Sequence, residues 1–205
     1  MEYDDNSFAA DHRYYVRSLY FDDAFSNAYS DKINGECYRE KFRIRIYNFS
    51  DDFIRLEKKV KNDSVGYKKS TVIPRSLCER LIAGDVYGLE NSGNPLLDEF
   101  LHKLKTAPLR PSVIVDYSRT AFVYAPMDVR ITLDEQLKTP LMSQDFFDHT
   151  APLYSVFDDG SFIVEVKYNN FFPSYIQSLF EPVPMRISAV SKFALCSQIN
   201  NNFTR

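Results

Sequence analysis

From Lys41 to Tyr47 polar and apolar residues alternate without a break, reading K-F-R-I-R-I-Y. Successive side chains of a β-strand point to opposite faces. Lys41, Arg43, Arg45 and Tyr47 therefore share one face, and Phe42, Ile44 and Ile46 the other. The pattern predicts a strand over Arg39–Asn48. Phe53–Lys61 repeats it, with Arg55, Glu57, Lys59 and Lys61 opposite Ile54, Leu56 and Val60. Ser50-Asp51-Asp52 reads as the tight turn that joins the two into a hairpin. Lys58 falls on the apolar side, from which its long stem is expected to snorkel.

Other stretches extend the sheet. Tyr14–Asp22, rich in β-formers, predicts a strand before the hairpin, and Val65–Ile73, carrying Lys68 and Lys69, one after it. In Ser112–Tyr124, Val113, Val115, Tyr117 and Arg119 alternate with Ile114, Asp116 and Ser118. Pro126 breaks that run. Asp128–Asp134 then sets Asp128, Arg130, Thr132 and Asp134 against Val129, Ile131 and Leu133, and Ser161–Tyr168 sets Glu165 and Lys167 against Val164 and Val166.

Helical spacing is confined to a few segments. Pro74 opens a helix through Ala83 with Gly84 as its stop, and Asn94-Pro95 opens a second carrying Leu97, Phe100, Leu101 and Leu104. A helical turn is expected within Asp23–Gly35, a short helix over Pro173–Phe180, and a terminal helix over Ser188–Ile199 with Ser191 and Lys192 near its start. Residues 1–13 read as a polar N-terminal tail and residues 14–200 as one domain. The segment between Asp134 and Ser161 gives no readable pattern.

Composition narrows the class. A chain of 205 residues with 44% hydrophobic content suits one core, and 14 Tyr with 17 Phe favour sheet, so the expected class is α+β with an antiparallel sheet. A net charge of −3 and a pI of about 5.7 argue against nucleic acid as a partner. The 3 cysteines are far apart and lack CxxC spacing, which predicts reduced thiols in a cytoplasmic protein without a zinc site. No apolar run reaches transmembrane length, so direct membrane insertion is not expected.

The charged faces carry the candidate chemistry. Lys41, Arg43, Arg45, Lys59, Lys61, Arg119, Arg130, Lys167 and Lys192 stand against Glu57, Asp134 and Glu165, a balance of +6 within a chain of net charge −3. Closing the sheet into a barrel would converge these faces on one channel. On a flat sheet such a face could simply be solvated, whereas in a channel like charges at ~4–6 Å repel by several kcal/mol at an effective dielectric near ~20 and an anion must offset them. Phosphate chains suit Arg forks and Lys point charges. Glu165 could be an ion-pair partner or could hold a divalent metal bridging phosphate oxygens. Ser191 fits a helix cap or a phosphate contact equally.

The strings VRSLYFDD, REKFRIRIYN, IRLEKKVK, DYSRTAF, VRITLD, VEVKYN and SKFALC, in this order, resemble the VTC domain (vacuolar transporter chaperone, polyphosphate polymerase), one of the triphosphate tunnel metalloenzymes related to the CYTH group. The resemblance runs from Tyr14 to Cys196. It implies an antiparallel β-barrel, the triphosphate tunnel, with helices packed outside. It also implies that ATP, a triphosphate or polyphosphate is bound and that the γ-phosphoryl group is transferred with Mn²⁺ or Mg²⁺. Matched motif by motif, the phosphate-binding residues are Arg43, Arg45, Lys59, Lys68, Tyr117, Arg119, Arg130, Ser191 and Lys192, with Glu165 on the metal; Lys167, which alternation alone selects, is added to the phosphate-binding set. Lys41 is left at the rim.

The family's opening strand with its Glu-x-Lys motif has no counterpart before Tyr14, which predicts a tunnel open along one edge. Such an edge invites self-association. A membrane-protein partner is a further expectation. Three functions follow from this reading: a polyphosphate polymerase-like enzyme, a non-catalytic polyphosphate- or nucleotide-binding module, and a metal-dependent triphosphatase.

Overall fold

A computed structural model describes residues 1–3, 12–63, 65–89, 91–141, 146–158 and 160–203. The strands are β1 (Glu2–Tyr3), β2 (Arg13–Asp22), β3 (Tyr38–Tyr47), β4 (Ser50–Asn62), β5 (Val65–Ile73), β6 (Arg110–Tyr124), β7 (Val129–Pro140), β8 (Leu153–Ser155) and β9 (Phe162–Lys167). The helices are α1 (Asn27–Asn34), α2 (Arg75–Ala83), α3 (Pro95–Thr106), α4 (Ser174–Gln177) and α5 (Lys192–Phe203). The strands form one antiparallel sheet in the order β5-β4-β3-β2-β6-β7-β8, with β1 added to β6 and β9 to β7. The α+β class and the antiparallel sheet follow the alternation.

The barrel that the resemblance implies does not close, in line with the open edge expected from the missing opening strand. Among the described residues β5 pairs with β4 alone and β9 with β7 alone, so the two ends of the sheet do not hydrogen-bond to each other. The result is a curled, open sheet. Closure requires every strand to have two partners, and here β7 divides its outer edge between β8 at Lys138–Pro140 and β9 at Arg130–Glu135.

The hairpin turn is also displaced from Ser50–Asp52. Tyr47 pairs with Ser50, leaving Asn48 and Phe49 as a two-residue turn with φ of 50° and 56°. Two left-handed residues match the twist of the flanking strands. Asn48 suits that conformation, and its Oδ1 accepts the Tyr15 N–H at 2.8 Å. Phe49 is held there by the Tyr15 ring at 5.6 Å and the Arg17 guanidinium at 5.0 Å. Polar Ser-Asp-Asp imitates a turn in sequence but forms the start of β4.

Each face of the sheet has its own cover. Leu19, Phe21, Phe42, Ile44, Ile46, Ile54, Leu56 and Ile73 bury one face against α2 and α3, through Cys78, Leu81, Leu97 and Phe100. Lys58 lies on this face and does not snorkel: its ammonium is sandwiched by Glu40 and Glu99, each at 2.5 Å. Arg17, 1% exposed, grips Asp116 through Nε and Nη2 at 2.9 and 2.8 Å and donates to the Phe146 and Asp148 carbonyls.

On the other face Tyr14, Val16, Tyr20, Val113, Val115, Tyr117 and Leu137 pack with Phe193 and Cys196 of α5. That helix begins at Lys192 rather than Ser188, because Ser191 acts as its cap, accepting Ala194 N–H on Oγ at 3.4 Å and Leu195 N–H on its carbonyl at 3.0 Å. Asp22 fastens α1 by accepting the Ala28 and Tyr29 N–H groups. No helix among the described residues is long and apolar enough to cross a membrane.

Candidate functional site

The charged residues selected by alternation stand on the face that α5 covers at one end. Residues directly opposite each other in an antiparallel pair point the same way. Lys41 faces Lys59, and Lys59 faces Lys68; Arg43 faces Glu57 and Tyr20; Arg45 faces Arg55 and Ser18. Across the sheet, Arg119 faces Asp134, Thr132 faces Glu165, and Arg130 faces Lys167. One face thus carries them all.

Curling brings the strands' charges together. Arg45 reaches across β2, giving Nε–H to Ser18 Oγ at 2.9 Å and Nη2–H to Tyr117 on β6 at 3.3 Å. The Arg119 guanidinium and the Lys192 ammonium both lie over the Tyr117 ring, at 5.2 and 5.1 Å. Desolvation pushes Lys59 below the ordinary lysine range; Glu165 opposes that shift, while Arg43 and Lys167 add to it. Lys59 therefore feels charges on β9 from the opposite wing of the sheet.

Two buried carboxylates each tie down an arginine and a lysine. Glu57 accepts Arg43 at 2.6 Å and Lys68 at 2.9 Å. Burial works against its ionisation, but Arg43, Arg45 and Lys68 bring it down to about 2. Asp134 accepts Arg119 and Lys192, both at 2.6 Å, and against burial these two cations hold it below the usual carboxylate range. Glu165 is looser, with Lys167 at 3.3 Å and Arg119 at 3.9 Å. Arg45 is different again. It is 7% exposed, and among the described residues it forms no ion pair; its partners are the Ser18 and Tyr117 hydroxyls.

Of the residues named from the sequence, Arg43, Arg45, Lys59, Lys68, Tyr117, Arg119, Lys192 and Glu165 form this connected array. Arg130 and Lys167 extend it along β7 and β9, and Ser191 stands beside it as the helix cap. Tyr20 was missed. Its hydroxyl accepts Arg43 Nη1–H at 2.8 Å; burial alone would raise its pKa, but Arg43, Arg45 and Lys41 bring it down to about 8. Only cross-strand register, which one sequence does not reveal, brings Tyr20 beside Arg43. Lys41 is half-buried, its ammonium 5.1 Å from the Phe193 ring.

A metal finds few ligands here. The described residues contain no group of three His, Cys, Asp or Glu side chains arranged to hold one. Glu57 and Asp134 are committed to cations. Glu165, more loosely held by Lys167 and Arg119, can offer one carboxylate, the ligand type that hard divalent cations take.

A family model, described as VTC domain, matches residues 1–200. The chain belongs to the VTC domain family. The match includes residues 1–13, which alternation had set aside as a tail, and Glu2–Tyr3 does pair with Phe122–Val123 of the VTC sheet. A search of curated proteins finds no match. Among solved structures, the VTC chain is similar to a putative adenylate cyclase from Bacillus halodurans at 11% identity, covering 88% of this chain and 82% of that chain, with a TM-score of 0.49.

Proposed function

We propose that the charged face binds the phosphate chain of ATP, triphosphate or polyphosphate and transfers the γ-phosphoryl group as a polyphosphate polymerase-like enzyme. Arg45 is the observation that carries the reading: a buried guanidinium with hydroxyl partners and no carboxylate. Glu57, whose charge Arg45 feels, is already paired with Arg43 and Lys68, and a buried cation without a paired anion of its own is costly. A phosphate oxygen supplies a paired anion and accepts the guanidinium's parallel N–H groups.

The other residues fall into roles around it. Arg43, Arg119 and Arg130 grip phosphate oxygens, with Glu57 and Asp134 holding the first two in fixed orientation. Lys59, Lys68, Lys167 and Lys192 neutralise the chain, and Tyr117 supports Arg45 from below. Phosphoryl transfer asks for positioning and charge neutralisation, with little covalent work by the protein. When bound, Mn²⁺ or Mg²⁺ held by Glu165 supplies neutralisation of the oxygens at the transferred phosphorus.

Incubation with ATP and Mn²⁺, followed by resolution of the products, tests the proposal. Polyphosphate ladders support it. Free phosphate as the sole product makes the protein a triphosphatase instead. The non-catalytic binding module is favoured by one observation, that Glu57 and Asp134 are already engaged and leave Glu165 as the available metal ligand. Tight tripolyphosphate binding without turnover would establish that reading. Unchanged metal dependence in Glu165→Ala would remove the role given to Glu165.

A further inference from the structure

The row Lys41–Lys59–Lys68 runs straight across β3, β4 and β5, each lysine directly opposite the next. Like charges so placed destabilise a sheet. Lys68 is relieved by Glu57. Lys41 and Lys59 have no ion pair among the described residues, although the next row along the same strands holds Glu57.

The surroundings of Lys41 are almost wholly cationic or apolar. α1 contributes Lys32, β2 contributes Tyr20, β3 contributes Arg43, β4 contributes Lys59 and α5 contributes the uncharged Phe193 ring. Desolvation is the main reason its pKa is down, at about 8; Lys59, Arg43 and Lys32 push the same way and Tyr20 opposes. A lysine usually escapes such a position by snorkelling to water. This one is half-buried, with its ammonium over Phe193, on the face whose other members converge.

We propose that Lys41, with Lys32 and Lys59 beside it, forms an additional anion subsite that takes a phosphate group of the chain gripped by Arg43 and Arg45. The inference rests on the reading of this face as a phosphate-chain site and extends it past the arginines towards α1. It gives binding a proton linkage. With no anion bound, Lys41 and the neighbouring Tyr20 phenol titrate in the same range near pH ~8, and an arriving phosphate favours the protonated form of both. Affinity through this subsite therefore falls as pH rises through that region.

Titration calorimetry with tripolyphosphate tests this on wild type, Lys41→Met and Lys41→Arg at about pH 7.5 and about pH 9. At the lower pH, Lys41→Met is expected to weaken binding about tenfold or more, as for loss of a charge-assisted contact. Lys41→Arg keeps its charge at both pH values. It should bind like wild type at about pH 7.5 and lose less affinity than wild type at about pH 9. Wild-type affinity in Lys41→Met, or an unchanged pH slope in Lys41→Arg, overturns the subsite while leaving the phosphate-chain reading intact. Failure of wild type to bind tripolyphosphate at all overturns both.

Discussion

Glu57→Gln is the most informative single change, because Glu57 is 1% exposed and its carboxylate serves Arg43 and Lys68 together. The substitution keeps shape and hydrogen-bonding capacity and removes the charge. Depression of its pKa from 4.5 to about 2 corresponds to about 3 kcal/mol of stability. Since the folded value lies below the unfolded one, that stability is fully present above about pH 4.5 and lost as pH falls through about 2. For a chain of this length, ~3 kcal/mol corresponds to roughly 6–12 °C in Tm.

Circular dichroism melts near neutral pH should show Glu57→Gln unfolding that much earlier, and the gap from wild type should narrow progressively as the solution is acidified. Tripolyphosphate should stabilise the variant more than wild type, because the ligand then replaces part of the missing negative charge. A variant Tm within about 2 °C of wild type at neutral pH would refute the claim that Glu57 offsets the cations of this face.

Arg17→Met should destabilise by about 3–5 kcal/mol in urea denaturation by leaving Asp116 buried and unpaired, and Arg17→Met/Asp116→Leu should recover most of that loss. Arg45→Ala should weaken tripolyphosphate binding by about 1.5–3 kcal/mol in calorimetry, since its guanidinium has no carboxylate to satisfy. Only Cys37 should label quickly with a thiol reagent in the native protein: Cys78, pushed up to about 12 by burial, and Cys196, raised by the same cause, should react on unfolding.

Much of this was legible because alternation is a local property. Lys41–Tyr47 and Phe53–Lys61 announced their faces, and the register of β3 with β4 bears out the shared face. Turn chemistry was less legible, since Phe49 adopts a positive φ through contacts with Tyr15 and Arg17 that are distant in sequence. An open edge was expected from the missing opening strand, but that the sheet ends at β5 and β9 was not legible, because pairing there depends on the whole curl. Within the site, the bracketing of Arg119 and Lys192 by Asp134 joins β6, β7 and α5, and no spacing along the chain encodes it.

The central claim is that this face holds a phosphate chain. Titration of the wild-type protein with tripolyphosphate at low and raised salt tests it most directly. The account predicts saturable binding that weakens with salt and is lost when Arg45 and Arg119 are both replaced by alanine. An absence of saturable binding at low salt, or equal binding by the double variant, would contradict it.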